Sequence, residues 1–188
     1  MKKGTVIIAA VVALVLIVAG FVIGGYNNMV KASESVDNKW SQVETYLQRR
    51  ADLIPNLVNT VKGYAKHESD VFTQVSDART RLAGATTPEE AAKANGDLTA
   101  GLGRLLAIAE SYPDLKANTN FIQLQDELTG TENRISTSRK DYNDEVKSYN
   151  QMVKVFPTNI LAGIFGFGEK TYFEADAGSE KVPNVNFE

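Results

Sequence analysis

Hydrophobic positions in this chain come first as a block and then as a rhythm. No charged side chain lies between Lys3 and Lys31, and from Thr5 to Ile23 nearly every position is apolar. Roughly 20 such residues, rising 1.5 Å each, cross a hydrocarbon core of about 30 Å. The block therefore predicts a transmembrane helix, with residues 4–26 in contact with the lipid bilayer. A cleaved secretory signal is the rival reading, because Lys2 and Lys3 form a basic head and Ala19, Gly20, Gly24 and Gly25 are small enough for a peptidase. Signal cores usually run about 7 to 15 residues, shorter than this one, so an uncleaved anchor is expected. A buried soluble helix fails, since the remaining chain is too small to cover it on all sides. Gly20-x-x-x-Gly24 has the spacing that lets two spans approach closely, although small residues at that interval are common in apolar helices.

From Tyr26 onward the apolar positions recur at helical intervals. Val36, Trp40, Val43, Leu47 and Ile54 are followed by Val58, Val61, Ala65, Phe72, Val75 and Leu82. This predicts two helices with a break near Arg50 to Asp52. Asp52 would then be the N-cap, and Pro55 would stand in a first turn where its missing N–H is harmless; one kinked helix is the alternative. Thr87-Pro88-Glu89-Glu90 combines a capping hydroxyl, a proline at the first helical position and a Glu three residues after the cap, which together start another helix. Leu98, Leu102, Leu105, Ala109 and Tyr112 mark its buried stripe. Gly96, Gly101 and Gly103 lower its intrinsic stability by up to about 1 kcal/mol each and imply close packing or mobility.

Pro113 ends that helix, and Asn118 or Thr119 is placed to cap the next. There Phe121, Leu128, Ile135, Tyr142, Tyr149 and Phe156 stand seven residues apart. A strict heptad favours a left-handed bundle or coiled-coil seam. The companion positions Leu124, Thr131, Ser138, Glu145 and Met152 are mixed, so the stripe is one seam of a bundle. Pro157 closes it. Ile160, Leu161, Ile164, Phe165 and Phe167 then alternate with Gly163, Gly166 and Gly168 in a short apolar segment. Its three possible fates are docking on the bundle end, lying on the bilayer surface and packing against another copy. Tyr172 to Glu188 reads as an extended tail that Val182, Val185 or Phe187 pins to a groove. The expected organisation is a tail and transmembrane helix over 1–26, a helical bundle over 27–157 and an apolar segment with tail over 158–188.

Composition narrows the function. The 188 residues allow one ordinary domain and an accessory segment. With Lys2 and Lys3 set aside, the 20 basic groups fall to 18 against 23 acidic ones, which argues against a nucleic-acid partner. The absence of cysteine removes disulfides, thiol catalysis, Cys-ligated zinc and lipid attachment through a Cys. His67, the only histidine, has Glu68 beside it but lacks the three or four ligands a zinc site uses. No metal and no cofactor is expected. Gly101-x-Gly103 lacks both the third glycine and the preceding strand of a dinucleotide fingerprint, and no G-x-S-x-G or phosphate loop is present. Glu89 and Glu90, like Asp126 and Glu127, are adjacent on helices and point to different sides, so they cannot flank a scissile bond. The chain is read as no enzyme.

Two clusters stand out as interaction or structural sites. Arg49, Arg50, Asp52, Pro55 and Asn56 crowd a helix junction: the simpler reading is a cap and an ion pair, the sharper one a partner-binding corner. Tyr142-Asn143 and Tyr149-Asn150 repeat one heptad apart, where tyrosine rings bury while their hydroxyls find polar partners.

The run RRADLIPNLVNTVKGYAKHE from Arg49 to Glu68, LGRLLAIAESYPDLKANTNFIQLQDELTGTENRI from Leu102 to Ile135, the two Tyr-Asn pairs and FPTNILAGIFGF from Phe156 to Phe167 resemble the LemA family of bacterial membrane proteins. The resemblance implies an all-α chain of the bacterial cell membrane, with a single N-terminal span followed by an elongated antiparallel four-helix bundle. It implies no activity, the family being generally described as of uncertain function. Relatives include a protein associated with magnetosome membranes, which points by analogy to membrane organisation. The family is expected to expose its short N-terminus outside, whereas Lys2 and Lys3 against Lys31 and Lys39 lean the other way. The function expected is a membrane-anchored scaffold acting through protein contacts, forming a homo-oligomer and engaging an unknown protein partner. The alternative is a tethered sensor or adaptor with a small ligand between its helices, signalled by an apolar cavity near Leu102 to Tyr112.

Overall fold

The computed structural model describes residues 3–65 and 67–174; Val182, Val185 and Phe187 lie outside the described residues. The helices are α1 (Lys3–Lys62), α2 (Ser69–Ala83), α3 (Pro88–Ala109), α4 (Pro113–Lys116), α5 (Thr119–Lys154) and α6 (Thr158–Phe165). The chain is all-α, with no strand among the described residues. It divides into two compact units, one of Met1–Asn38 with Asp144–Lys170 and one of Lys39–Asn143 with Thr171–Glu188.

The break expected at Arg50 to Asp52 is absent, because α1 continues through Pro55 to Lys62. A proline at this position denies a hydrogen bond to the carbonyl four residues back, that of Ala51. Arg79 on α2 supplies the missing donor, its Nε reaching the Ala51 carbonyl oxygen at 3.2 Å. Asp52 is accordingly no N-cap. Its Oδ1 accepts from Gln48 Nε2 at 2.8 Å and faces the Arg79 guanidinium at 3.9 Å. The chain turns instead beyond Lys62, where the Ala65 N–H still bonds the Val61 carbonyl at 2.9 Å, and α2 resumes at Ser69. Ala65 and Phe72 are both buried, so apolar periodicity runs straight over this turn and conceals it.

In the unit that begins at Lys39, the core is Val43, Leu47, Ile54, Leu57 and Val61 of α1, Phe72 and Val75 of α2, Leu98 and Leu105 of α3, Leu115 of α4, and Phe121, Ile135 and Tyr142 of α5. A Cβ built on Gly101 would stand 3.2 Å from Val75 Cγ2, so this glycine sets a close α2–α3 approach. One half of the capping box forms: Thr87 Oγ1 accepts from the Glu90 N–H at 3.2 Å. The Glu90 carboxylate, however, reaches one residue further, to the Thr86 N–H at 3.0 Å and its hydroxyl at 3.1 Å. These bonds from Thr86 hold the Glu90 carboxyl below the usual carboxylate range. Asn118 caps α5, accepting from the Phe121 N–H at 3.1 Å. Thr131 and Ser138 tolerate burial in the seam because their hydroxyls donate to the Glu127 and Ile135 carbonyls at 2.7 and 3.1 Å.

In the other unit, Met29 and Val36 of α1 are buried, as are Val146, Tyr149 and Val153 of α5 and Leu161 and Ala162 of α6. Phe156, the last expected heptad position, is instead 75% exposed. A residue preceding proline is disfavoured in the helical region, and α5 stops at Lys154. α6 ends on Gly166, whose φ of 77° lies in the left-handed region, and the Phe167 N–H bonds back to the Ala162 carbonyl at 2.9 Å. Large apolar side chains from Val6 to Phe21 stand 47–69% exposed, and Val22 is partly covered.

Candidate functional site

Along α1, the residues Val43, Leu47, Arg50 and Ile54 follow steps of four, three and four, so Arg50 lies on the buried stripe while Arg49 lies off it. Arg50 is 4% exposed. Its Nη1 donates to Asn95 Oδ1 and lies 2.7 Å from Glu132 Oε2, and its Nη2 donates to Thr99 Oγ1 at 3.0 Å. A planar guanidinium fork suits this task, since its two Nη nitrogens serve three partners on α3 and α5 in fixed directions. Arg49 makes an outer pair, its Nη2 standing 2.6 Å from Glu127 Oε2 with both side chains half-exposed. Pro55 and Asn56 are exposed. Asn56 lines a polar groove of about 960 Å³ with Arg49, Asn59, Asn120, Gln123 and Arg134. A second cavity, of about 570 Å³, lies beside the Arg50–Glu132 pair and is walled by Leu57, Leu102, Leu106 and Leu128.

The Tyr-Asn pairs act on the extended segment that follows α6. Asn150 Nδ2 donates to the Lys170 carbonyl at 2.9 Å while its Oδ1 accepts from the Lys170 N–H at 2.8 Å. Beside it the Lys170 ammonium stands over the Tyr149 ring at 5.7 Å from the centroid and 2.6 Å from Asp37 Oδ1. Burial, with a smaller contribution from the Asp37 charge, pushes the Tyr149 hydroxyl above its ordinary pKa. In the other unit Asn143 makes the same two-bond grip on Phe173, both bonds at 2.9 Å, and the Tyr142 hydroxyl donates to the Thr171 carbonyl at 2.7 Å. An amide side chain offers one donor and one acceptor side by side, matching the N–H and C=O of one extended residue. Phe173 is 1% exposed, packed near Trp40 and under the Arg139 guanidinium.

The structure therefore joins Arg50 to Asn95, Thr99 and Glu132, none of which was singled out from the sequence. It leaves Arg49, Pro55 and Asn56 on the surface, and sets Arg79 against both Asp52 and the Ala51 carbonyl that Pro55 leaves without a donor. Phe173 was also missed. The signal for it was indirect: two asparagines at matching heptad positions need a backbone to hold. Ile160, Leu161, Ile164, Phe165 and Phe167 fall on or just after α6. His67 is exposed in the turn between α1 and α2.

The LemA family model matches residues 39–187. The chain belongs to the LemA family. Among its relatives, magnetosome protein MamQ 1 of Paramagnetospirillum magneticum (strain ATCC 700264 / AMB-1) is 33% identical, over 84% of this chain and 68% of that protein. Magnetosome protein MamQ of Magnetospirillum gryphiswaldense (strain DSM 6361 / JCM 21280 / NBRC 15271 / MSR-1) is 31% identical with the same coverage. Protein LemA of Metamycoplasma hominis (strain ATCC 23114 / DSM 25592 / NBRC 14850 / NCTC 10111 / PG21) is 24% identical over 74% of this chain and 64% of its own length. This LemA-family chain carries, in α1, one N-terminal segment long and apolar enough to cross a membrane.

Proposed function

We propose that this LemA-family chain is a single-pass, membrane-anchored helical scaffold that works through protein contacts, self-association among them, in organising a bacterial membrane, and that it catalyses no reaction. The observation that carries this reading is the run from Val6 to Ile23 at the head of α1, whose side chains, Val22 excepted, stand exposed and whose length matches a bilayer. The helical units beyond it present ion pairs and capped helices, such as Arg49–Glu127 and Thr87–Glu90, arranged for shape and rigidity. Two relatives named as magnetosome proteins support membrane organisation as the class of role. Native mass measurement of the full chain in mild detergent tests it. An oligomer or a retained partner is expected, and a strictly monomeric particle with nothing bound counts against it.

A second reading, a tethered sensor or adaptor, is favoured by the cavity walled by Leu57, Leu102, Leu106 and Leu128 beside Arg50. Bundle interiors commonly build ligand sites from such apolar walls with a few polar groups. Filling it with Leu106→Trp is expected to abolish ligand-induced thermal stabilisation in a small-molecule screen. A screen in which no compound stabilises the unmodified chain disposes of this reading.

A further inference from the structure

We propose that α6 is a second membrane contact, an interfacial helix lying in the boundary between lipid headgroups and acyl chains beside the point where α1 leaves the bilayer. The inference rests on the anchor reading and adds to it a named segment and a depth.

Level is the first argument. A Cβ built on Gly25 would stand 2.6 Å from Leu161 Cδ1, so α6 packs directly on α1 at that residue. The rings of Phe165 and Phe167 meet the Tyr26 ring edge-on, with centroids 5.0 and 5.7 Å away. Tyr26 stands three residues, about 4.5 Å of helical rise, beyond Ile23, where the apolar run ends. Aromatic side chains favour this depth, apolar body inward and polar tip toward water.

Composition is the second. No charged residue occurs between Lys154 and Glu169, and those two flanking charges pair with each other at 2.7 Å. Leu161 and Ala162 bury against the unit, while Ile160, Ile164, Phe165, Val155 and Phe156 stay exposed, Ile164 at 69%. An apolar patch of this kind on a chain in water is a contact surface awaiting a partner. Continuity with the end of the span selects lipid as that partner. With eight residues, α6 is about 12 Å long and too short to cross, so it lies on the surface.

The absence of cysteine lets one fluorophore be placed at a time in the full chain. Ile164→Cys and Phe156→Cys report on the α6 region, Val15→Cys on the span and Ser136→Cys on an exposed position of α5. Each labelled chain is reconstituted singly into phosphatidylcholine–phosphatidylglycerol nanodiscs carrying nitroxide lipids with shallow or deep spin labels. Loss of emission at 164 and 156 is expected to be greater from the shallow label, placing both probes about 5–10 Å into the boundary. Val15 should be quenched most by the deep label, and Ser136 by neither. Quenching at 164 and 156 no stronger than at 136, with Val15 still deep, overturns the inference and leaves the anchor intact. Val15 unquenched removes the anchor and the inference together. Protection at 164 that arises only with two copies in a disc assigns the face to a second copy and also overturns it.

Discussion

Replacing Arg50 tests whether a buried guanidinium fork ties α1 to α3 and α5. Arg50→Ala removes the donors that serve Asn95 Oδ1 and Thr99 Oγ1 and the cation beside Glu132. Breaking a buried ion pair by deleting one partner typically destabilises by 3–5 kcal/mol, or about 3–5 here if Glu132 were fully buried. Its side chain is 46% exposed and rehydrates on losing its partner, which lowers that figure; Asn95, at 6%, does not rehydrate and adds about 1 kcal/mol or more for an unpaired amide. Together these give about 2–3 kcal/mol. Arg50→Lys keeps the charge but replaces the planar fork with a point donor, so at least one of Asn95 and Thr99 is lost, for about 1–2 kcal/mol. Glu132→Gln retains an acceptor but leaves the buried Arg50 guanidinium without its countercharge, so it should destabilise by an amount comparable to Arg50→Ala. At about 2–4 °C per kcal/mol for a chain of this size, Arg50→Ala lowers Tm by about 4–12 °C. Helical circular dichroism on heating the full chain in detergent measures the series. Added salt should narrow the gap between wild type and Arg50→Ala only in part, since Arg50 is buried while Glu132 is half-exposed. Arg50→Lys or Arg50→Ala melting with the wild type would refute the fork argument.

Pro55→Ala restores an N–H aimed at the Ala51 carbonyl, so Arg79→Ala should destabilise the wild type by about 0.5–1.5 kcal/mol more than it destabilises the Pro55→Ala chain; a double-mutant cycle with no coupling contradicts the rescue of α1 by Arg79. Asn150→Ala should speed amide exchange at Lys170, and Asn143→Ala at Phe173, because each loses both bonds of its clamp; unchanged exchange at both sites counts against the clamps. Glu90 has a depressed folded pKa, so its contribution is present above the ordinary carboxylate value and lost as pH falls through the folded one; Thr86→Ala removes the hydroxyl but keeps the backbone N–H, so it should flatten that acid limb only in part. Tyr149 has a raised pKa, so its contribution is present below about 10 and lost as pH rises through the folded value. Phenolate absorbance that is removed by Tyr149→Phe should titrate above free tyrosine, and a midpoint at or below it contradicts the burial argument.

How much was legible depended on the range of the interaction. The capping box at Thr87, the cap at Asn118 and the stripe from Phe121 to Tyr149 are local patterns, readable because each is completed within a few turns of one helix. The continuity of α1 was not readable, since the donor that replaces the proline's N–H comes from Arg79, 28 residues away from Ala51. The true turn at Gly63 was masked by periodic burial on both sides. Phe156 was misplaced because the heptad took precedence over the restriction that Pro157 places on its neighbour. For Arg50 the helical phase with Leu47 and Ile54 already marked burial, but its partners on α3 and α5 are a matter of tertiary packing. Phe173 follows no period at all and is recognisable only once Asn143 is seen gripping its backbone.

Membrane attachment through an intact leader is tested most directly by the intact mass of the protein recovered from carbonate-washed bacterial membranes. The full chain, residues 4–26 included, is expected in the washed pellet. Recovery from the soluble fraction of a shorter protein that begins near Tyr26 would contradict the account.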